Sequence, residues 1–125
     1  MLKLMIAIAI GSVFGGLCRW FLSLKFNIIA FAIPLGTLLS NLIAGYIIGF
    51  AIAFFNHSSL SPEWRLLVIT GFCGGLSTFS TFSAEIVDFI QEGRIAWGLI
   101  TIAIHVIGSV LMTFFGIWSY QLLRS

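Results

Sequence analysis

The sequence predicts an all-α integral membrane protein with four spanning helices, and three observations carry that prediction. The 125-residue chain is 60% hydrophobic, only 8% charged and close to neutral, with a net charge of +2. Its mean hydropathy is +1.15. Most of its few charges fall at or near the ends of apolar runs long enough to cross a bilayer. Soluble domains carry about 25% charged residues, so this chain cannot cover a water-facing surface. The charge is too small to point to nucleic acid. Cys18 and Cys73 lie inside apolar segments and read as small buried residues rather than a disulfide or a metal site. The sequence holds no nucleophile–base pair and no metal-ligand cluster, so an enzyme is not expected.

A spanning helix needs about 20 largely apolar residues. The first such segment is 4–24, too long for the h-region of a signal peptide, about 7–15 residues. The second is 34–55, with Pro34 suited to a helix's first turn. The third is 63–89, where Ser61, Pro62 and Glu63 read as an N-cap, a first-turn proline and an early acid that favours the helix dipole. The fourth is 96–123. The connectors are short: residues 25–33, residues 56–63 and the four residues QEGR at 91–94. Residues 1–125 therefore form a single transmembrane domain, with no stretch left for a soluble one.

Four spans place both termini on one side. Lys3, Arg65 and Arg124 then fall on that side, and Lys25, Arg94 and Arg19 on or near the other. The Lys/Arg bias that normally orients a membrane protein is almost absent. Either a small bias suffices for one orientation, or the chain inserts both ways and pairs antiparallel.

Polar groups at membrane depth are costly and face protein or a watery cavity. Thr37, Asn41, Gly45 and Gly49 recur every four residues and share one face of the second helix. Thr101, His105, Ser109 and Thr113 do the same on the fourth. Such stripes serve either to join helices, as Gly11 with Gly15 and Gly45 with Gly49 suggest, or to line a hydrophilic path. In the third span, Gly71, Gly74 and Gly75 weaken the helix at its middle by about 1 kcal/mol each against alanine. A break there frees carbonyls for a cation, or a new helix N-terminus for an anion, beside the hydroxyls of Leu76–Ser83. Phe79 and Phe82, three apart, project to nearly one face, and ring edges carry weakly positive hydrogens.

The strings GSVFGGLCRW, GTLLSNLIAGYIIG and GFCGGLSTFSTFS, together with the size and the four-span layout, resemble the Fluc-type (CrcB) fluoride channels over essentially the whole length. The resemblance implies a passive, fluoride-selective channel of the bacterial inner membrane that exports fluoride and confers resistance to it. It implies an antiparallel, dual-topology homodimer with two pores, the third helix broken near its middle, and a central structural sodium ion held by backbone carbonyls of Gly75 and Ser77. It makes Phe79 and Phe82 the phenylalanine pair of the pore, Asn41 its amide, and Thr37, Thr81, Glu85 and Ser109 its polar track. Arg19 would serve structure or an anion-attracting vestibule. Thr101 stands where the family often has tyrosine. His105 is either a pore-side group or a hydrogen-bonded packing residue. Partners would be fluoride, lipid and a second copy. The alternatives are a proton-coupled multidrug exporter, which would want an acid deep in the first helix where this chain has Arg19, and a non-transporting assembly subunit.

Overall fold

The computed structural model describes residues 1–28 and 33–125, so the connector expected at 25–33 lies partly outside the described residues. Helix α1 is Leu2–Phe26 and α2 is Leu35–Asn56. The third span runs as α3 (Pro62–Arg65), a π-helical stretch (Leu66–Cys73) and α4 (Gly74–Leu76). It leaves helical form for three residues, then resumes as α5 (Ser80–Gln91). The last helix, α6, is Ile95–Arg124. The four units Leu2–Phe26, Leu35–Asn56, Pro62–Gln91 and Ile95–Arg124 are long and apolar enough to span a membrane. Three of them reach one or two residues beyond the expected bounds at each end, and the second is shifted by one residue, starting at Leu35 and ending at Asn56.

The helix ends follow local chemistry, with two changes from expectation. Pro34 is the N-cap of α2 rather than a residue of its first turn. Asn27, at the end of α1, supplies the missing cap: its Oδ1 accepts from the Thr37 backbone N–H at 3.1 Å. Pro62 does sit in the first turn of α3, but Ser61 caps it without a side-chain hydrogen bond. Between α5 and α6, Gly93 takes φ +76°. Its N–H reaches Ile90 O at 3.1 Å and the Arg94 N–H reaches Phe89 O at 2.8 Å. That paired pattern ends a helix on a left-handed residue, which glycine adopts without strain.

Lipid tails are as apolar as leucine, so helices in a bilayer associate through close packing rather than hydrophobic burial. Two glycine seams do this here. Gly11 and Gly15 of α1 face Gly71 and Gly75 of the third span, and a Cβ on Gly15 would stand 2.2 Å from Phe72 O. Gly49 of α2 and Gly116 of α6 press onto each other's helices in the same way, at 2.1 Å from Thr113 O and Tyr46 O. The third span does break near its middle, as expected, but not at Gly71, Gly74 or Gly75 themselves. Two of the three hold the third span against α1, the helix continues through all of them, and the break comes after Leu76. The π-helical register that precedes it has no signal in the sequence.

The break is where the third span changes partner. Before it, the chain lies along α1; after it, α5 lies against α6, while α2 lies along α6 throughout.

Candidate functional site around the helix break

Ser77 ends α4 with extended backbone, φ −77° and ψ 155°. A helix end leaves its last carbonyls and the next helix's first N–H groups without partners, which the bilayer interior does not forgive. Side chains from three elements take over. The Ser77 N–H and hydroxyl both donate to Cys73 O, at 2.9 and 2.8 Å. The Thr78 N–H, which would have closed the helix onto Gly74 O, donates instead to Asn41 Oδ1 at 2.7 Å. Asn41 Nδ2 donates back to Thr78 O at 3.1 Å. Thr78 Oγ1 accepts from the Thr81 N–H at 3.2 Å and so caps α5. Arg19 Nε donates to Gly75 O at 3.0 Å, a cation placed at the carbonyl end of α4.

The network continues toward α6. Asn41 Nδ2 lies 2.9 Å from His105 Nδ1. The His105 ring rests on Phe82, with centroids 4.3 Å apart and planes at 31°. Phe82 meets Phe79 edge to face at 5.5 Å. Phe82 is 5% exposed and Phe79 77% exposed, so the paired rings differ in burial. Phe79 is the N-cap of α5, with φ −89° and ψ −38°, and its carbonyl accepts from the Ser83 N–H at 2.8 Å, so it stands at the open end of the helix. One turn along, Thr37 Oγ1 donates to Glu85 Oε2 at 2.6 Å. Glu85 Oε1, His105 Nε2 and Ser40 Oγ are enclosed and have no hydrogen-bond partner among the described residues.

A groove of about 400 Å³ opens along the break, and Asn41, Ser77, Phe79, Phe82, His105 and Ser109 line it. Of the residues singled out from sequence, these gather in one place. Thr37 and Glu85 form a separate hydrogen-bonded pair outside the groove lining. Thr81 contributes its backbone N–H to the cap. Arg19 and Gly75 lie on the α1 side, where a Cβ on Gly75 would stand 2.7 Å from Ser12 O. Gly74, by contrast, is exposed and lines the groove. Thr101 and Thr113 turn their hydroxyls onto their own helix, to Trp97 O and Ser109 O. Sequence reasoning gave Asn27 no role, and gave Thr78 and Gly74 only those of a hydroxyl near the break and a helix-weakening glycine. The Thr78–Thr81 spacing, a hydroxyl three residues before a first-turn N–H, was the available signal for the cap.

The groove offers hydroxyls, an imidazole, ring edges and released carbonyls on one wall, and it is open on the other. No group of three His, Cys, Asp or Glu side chains suited to a metal occurs among the described residues.

A family model described as CrcB-like protein, Camphor Resistance (CrcB), matches residues 6–117. Over 121 residues the chain is 63% identical to the fluoride-specific ion channel FluC of Pseudomonas putida, covering 96% of this chain and 95% of that protein. Over 118 residues it is 64% identical to the protein of the same name from Nitrosomonas europaea, covering 94% and 93%. The Pseudomonas aeruginosa protein of that name is 58% identical over 120 residues, covering 95% and 94%.

Proposed function

The chain belongs to the CrcB-like family, and from that premise we propose that it is a passive, fluoride-selective channel of the bacterial inner membrane, not an enzyme. The observation that carries the reading is the broken third span, whose polar backbone and hydroxyls line an open groove at membrane depth. A break of this kind is tolerated in a bilayer where it is buried in protein or lines water.

Taking a bare ion into low dielectric costs on the order of 20 kcal/mol in the idealised Born picture. The groove offsets that with donors: the Ser109 hydroxyl, the His105 ring and the edges of Phe79 and Phe82, while the Ser77 hydroxyl is already engaged on Cys73 O. Asn41 has both amide hydrogens engaged, on Thr78 O and His105 Nδ1, so its part is to hold the break and orient the imidazole. Arg19 fastens α4 to α1 from behind. Thr37 and Glu85 extend the polar groups one turn beyond the groove.

One subunit supplies one wall. We place an antiparallel second copy against it, giving two pores per dimer; the balanced Lys/Arg count and the exposure of Phe79 support this. A central sodium ion, when bound, would add fixed positive charge and clamp the copies. Ser77 suits it, since its backbone is extended and outside the helix. Gly75 suits it poorly: it is packed on α1 and its carbonyl already accepts from a guanidinium. Gly74 suits it better, because Thr78 has withdrawn its N–H from that carbonyl and the residue lies on the groove. The exporter alternative lacks an acid in α1, and Glu85 is the acid nearest the site.

The test is ion efflux from liposomes containing the purified protein. Fast fluoride efflux without a proton gradient, and none of chloride, is expected. Impermeability to fluoride, or equal chloride flux, would refute the channel reading.

A further inference from the structure

We infer that His105 offers its Nε2–H as a hydrogen-bond donor to the anion in the groove, held in that tautomer by Asn41, an inference that rests on the channel reading above. The tautomer follows from groups that have no freedom. A backbone nitrogen can only donate, so the Asn41 atom 2.7 Å from Thr78 N is the oxygen. The other terminal atom is then the amide nitrogen, which has two hydrogens and no lone pair to offer. One hydrogen goes to Thr78 O. The other goes to His105 Nδ1, which must accept it and therefore carries no proton. The single proton of the neutral ring is on Nε2.

That N–H is enclosed. His105 is 3% exposed, and Nε2 has no partner among the described residues. A buried donor left unmade is destabilising, so its retention needs a use. The ring lines the groove and is fixed in plane by Phe82. A neutral N–H binds an anion without forming an ion pair, which suits a site that the ion must also leave. Asn41 is thus a positioning residue that acts through His105.

The test is NMR of reconstituted full-length protein carrying isotope-labelled histidine. His57→Gln removes the other histidine, which lies against Ala53 O, away from the groove. The expected spectrum shows a bare Nδ1 and a protonated Nε2, and sodium fluoride, but not sodium chloride, moves the Nε2 signal. A proton on Nδ1, or an Nε2 signal unmoved by fluoride in protein that conducts fluoride, overturns the inference; the second result means that water alone satisfies the group. In flux assays, His105→Leu is expected to lower fluoride efflux about tenfold, the worth of one hydrogen bond to a charged partner. His105→Gln keeps an N–H donor at similar reach and should retain more. Wild-type flux in the leucine variant, or equal loss in both, overturns the donor role. If the leucine variant does not fold, the spectra and the glutamine variant decide. Failure of wild-type protein to pass fluoride would sink the channel reading instead, and the Nδ1 and Nε2 signals would still report the tautomer.

Discussion

The two halves of the third span are held by opposite means. Before the break, Gly71 and Gly75 bring backbone against the backbone of α1, and what positions the segment is the absence of side chains. After it, α5 carries Phe82 and Phe89 as buried anchors and Glu85 as a polar one, and its first turn is fixed by the hydrogen bond that the Thr81 N–H donates to Thr78 Oγ1. The first half is a shape fit, intolerant of any added atom. The second is a chemical fit, intolerant of a lost donor or acceptor. Placing the two methods end to end lets the chain change neighbours from α1 to α6 within three residues. The polar groups released there come to rest in one groove.

The sharpest way to break this contrast is to add one carbon to the shape-fitted half. Gly15→Ala puts a Cβ 2.2 Å from Phe72 O, a backbone atom that cannot step aside. We expect a loss of about 3 kcal/mol or more, seen as a collapse in the yield of monodisperse protein in detergent. If Gly15→Ala behaves as wild type, the seam does not hold the span.

Next in size is a lost polar partner at the break. Asn41→Leu strands both Thr78 backbone groups, each costing about 1–3 kcal/mol. The expected result is a lower unfolding temperature with faster hydrogen exchange across residues 77–81 than across α2. Uniform exchange would show that Asn41 does not brace the break.

A smaller effect is expected at Arg19→Met, which removes the charge-assisted bond to Gly75 O, worth about 1.5–3 kcal/mol, but leaves the glycine seam intact. Thermal unfolding in detergent should fall by less than for Asn41→Leu; an equal or greater fall would make Arg19 the principal brace.

The smallest change sharpens the comparison from the other side. Gly16, one residue from Gly15, has nothing within 4 Å of where a Cβ would be. Gly16→Ala should be neutral or stabilising by up to about 1 kcal/mol, since alanine is the better helix former. A loss as large as that of Gly15→Ala would mean that α1 tolerates no change anywhere, and the seam would lose its meaning.

How much of the site was legible follows the same division. Asn41, Ser77, Phe79, Phe82 and Ser109 were singled out from sequence, and the structure gathers them along one groove. Their individual parts were not legible. Asn41 reads as a free amide until its bonds to Thr78 and His105, 37 and 64 residues away, are seen. Gly74 and Gly75 are adjacent and identical in sequence, yet one faces the groove and the other α1. Phe79 and Phe82 look equivalent until the fold buries the one and leaves the other, at the cap of α5, exposed: Phe82 is the buried ring and Phe79 the exposed one.

By itself the sequence determined that the chain lives in a membrane, that it crosses as four helices, and which few polar groups it carries into the hydrocarbon. These are local properties: apolar length, helical period and charge-free runs need no partner. Only the tertiary structure decided which glycines pack, where the third span opens, and which nitrogen of His105 holds the proton. Close approach and hydrogen-bond direction belong to pairs of groups that meet only once the helices are in place.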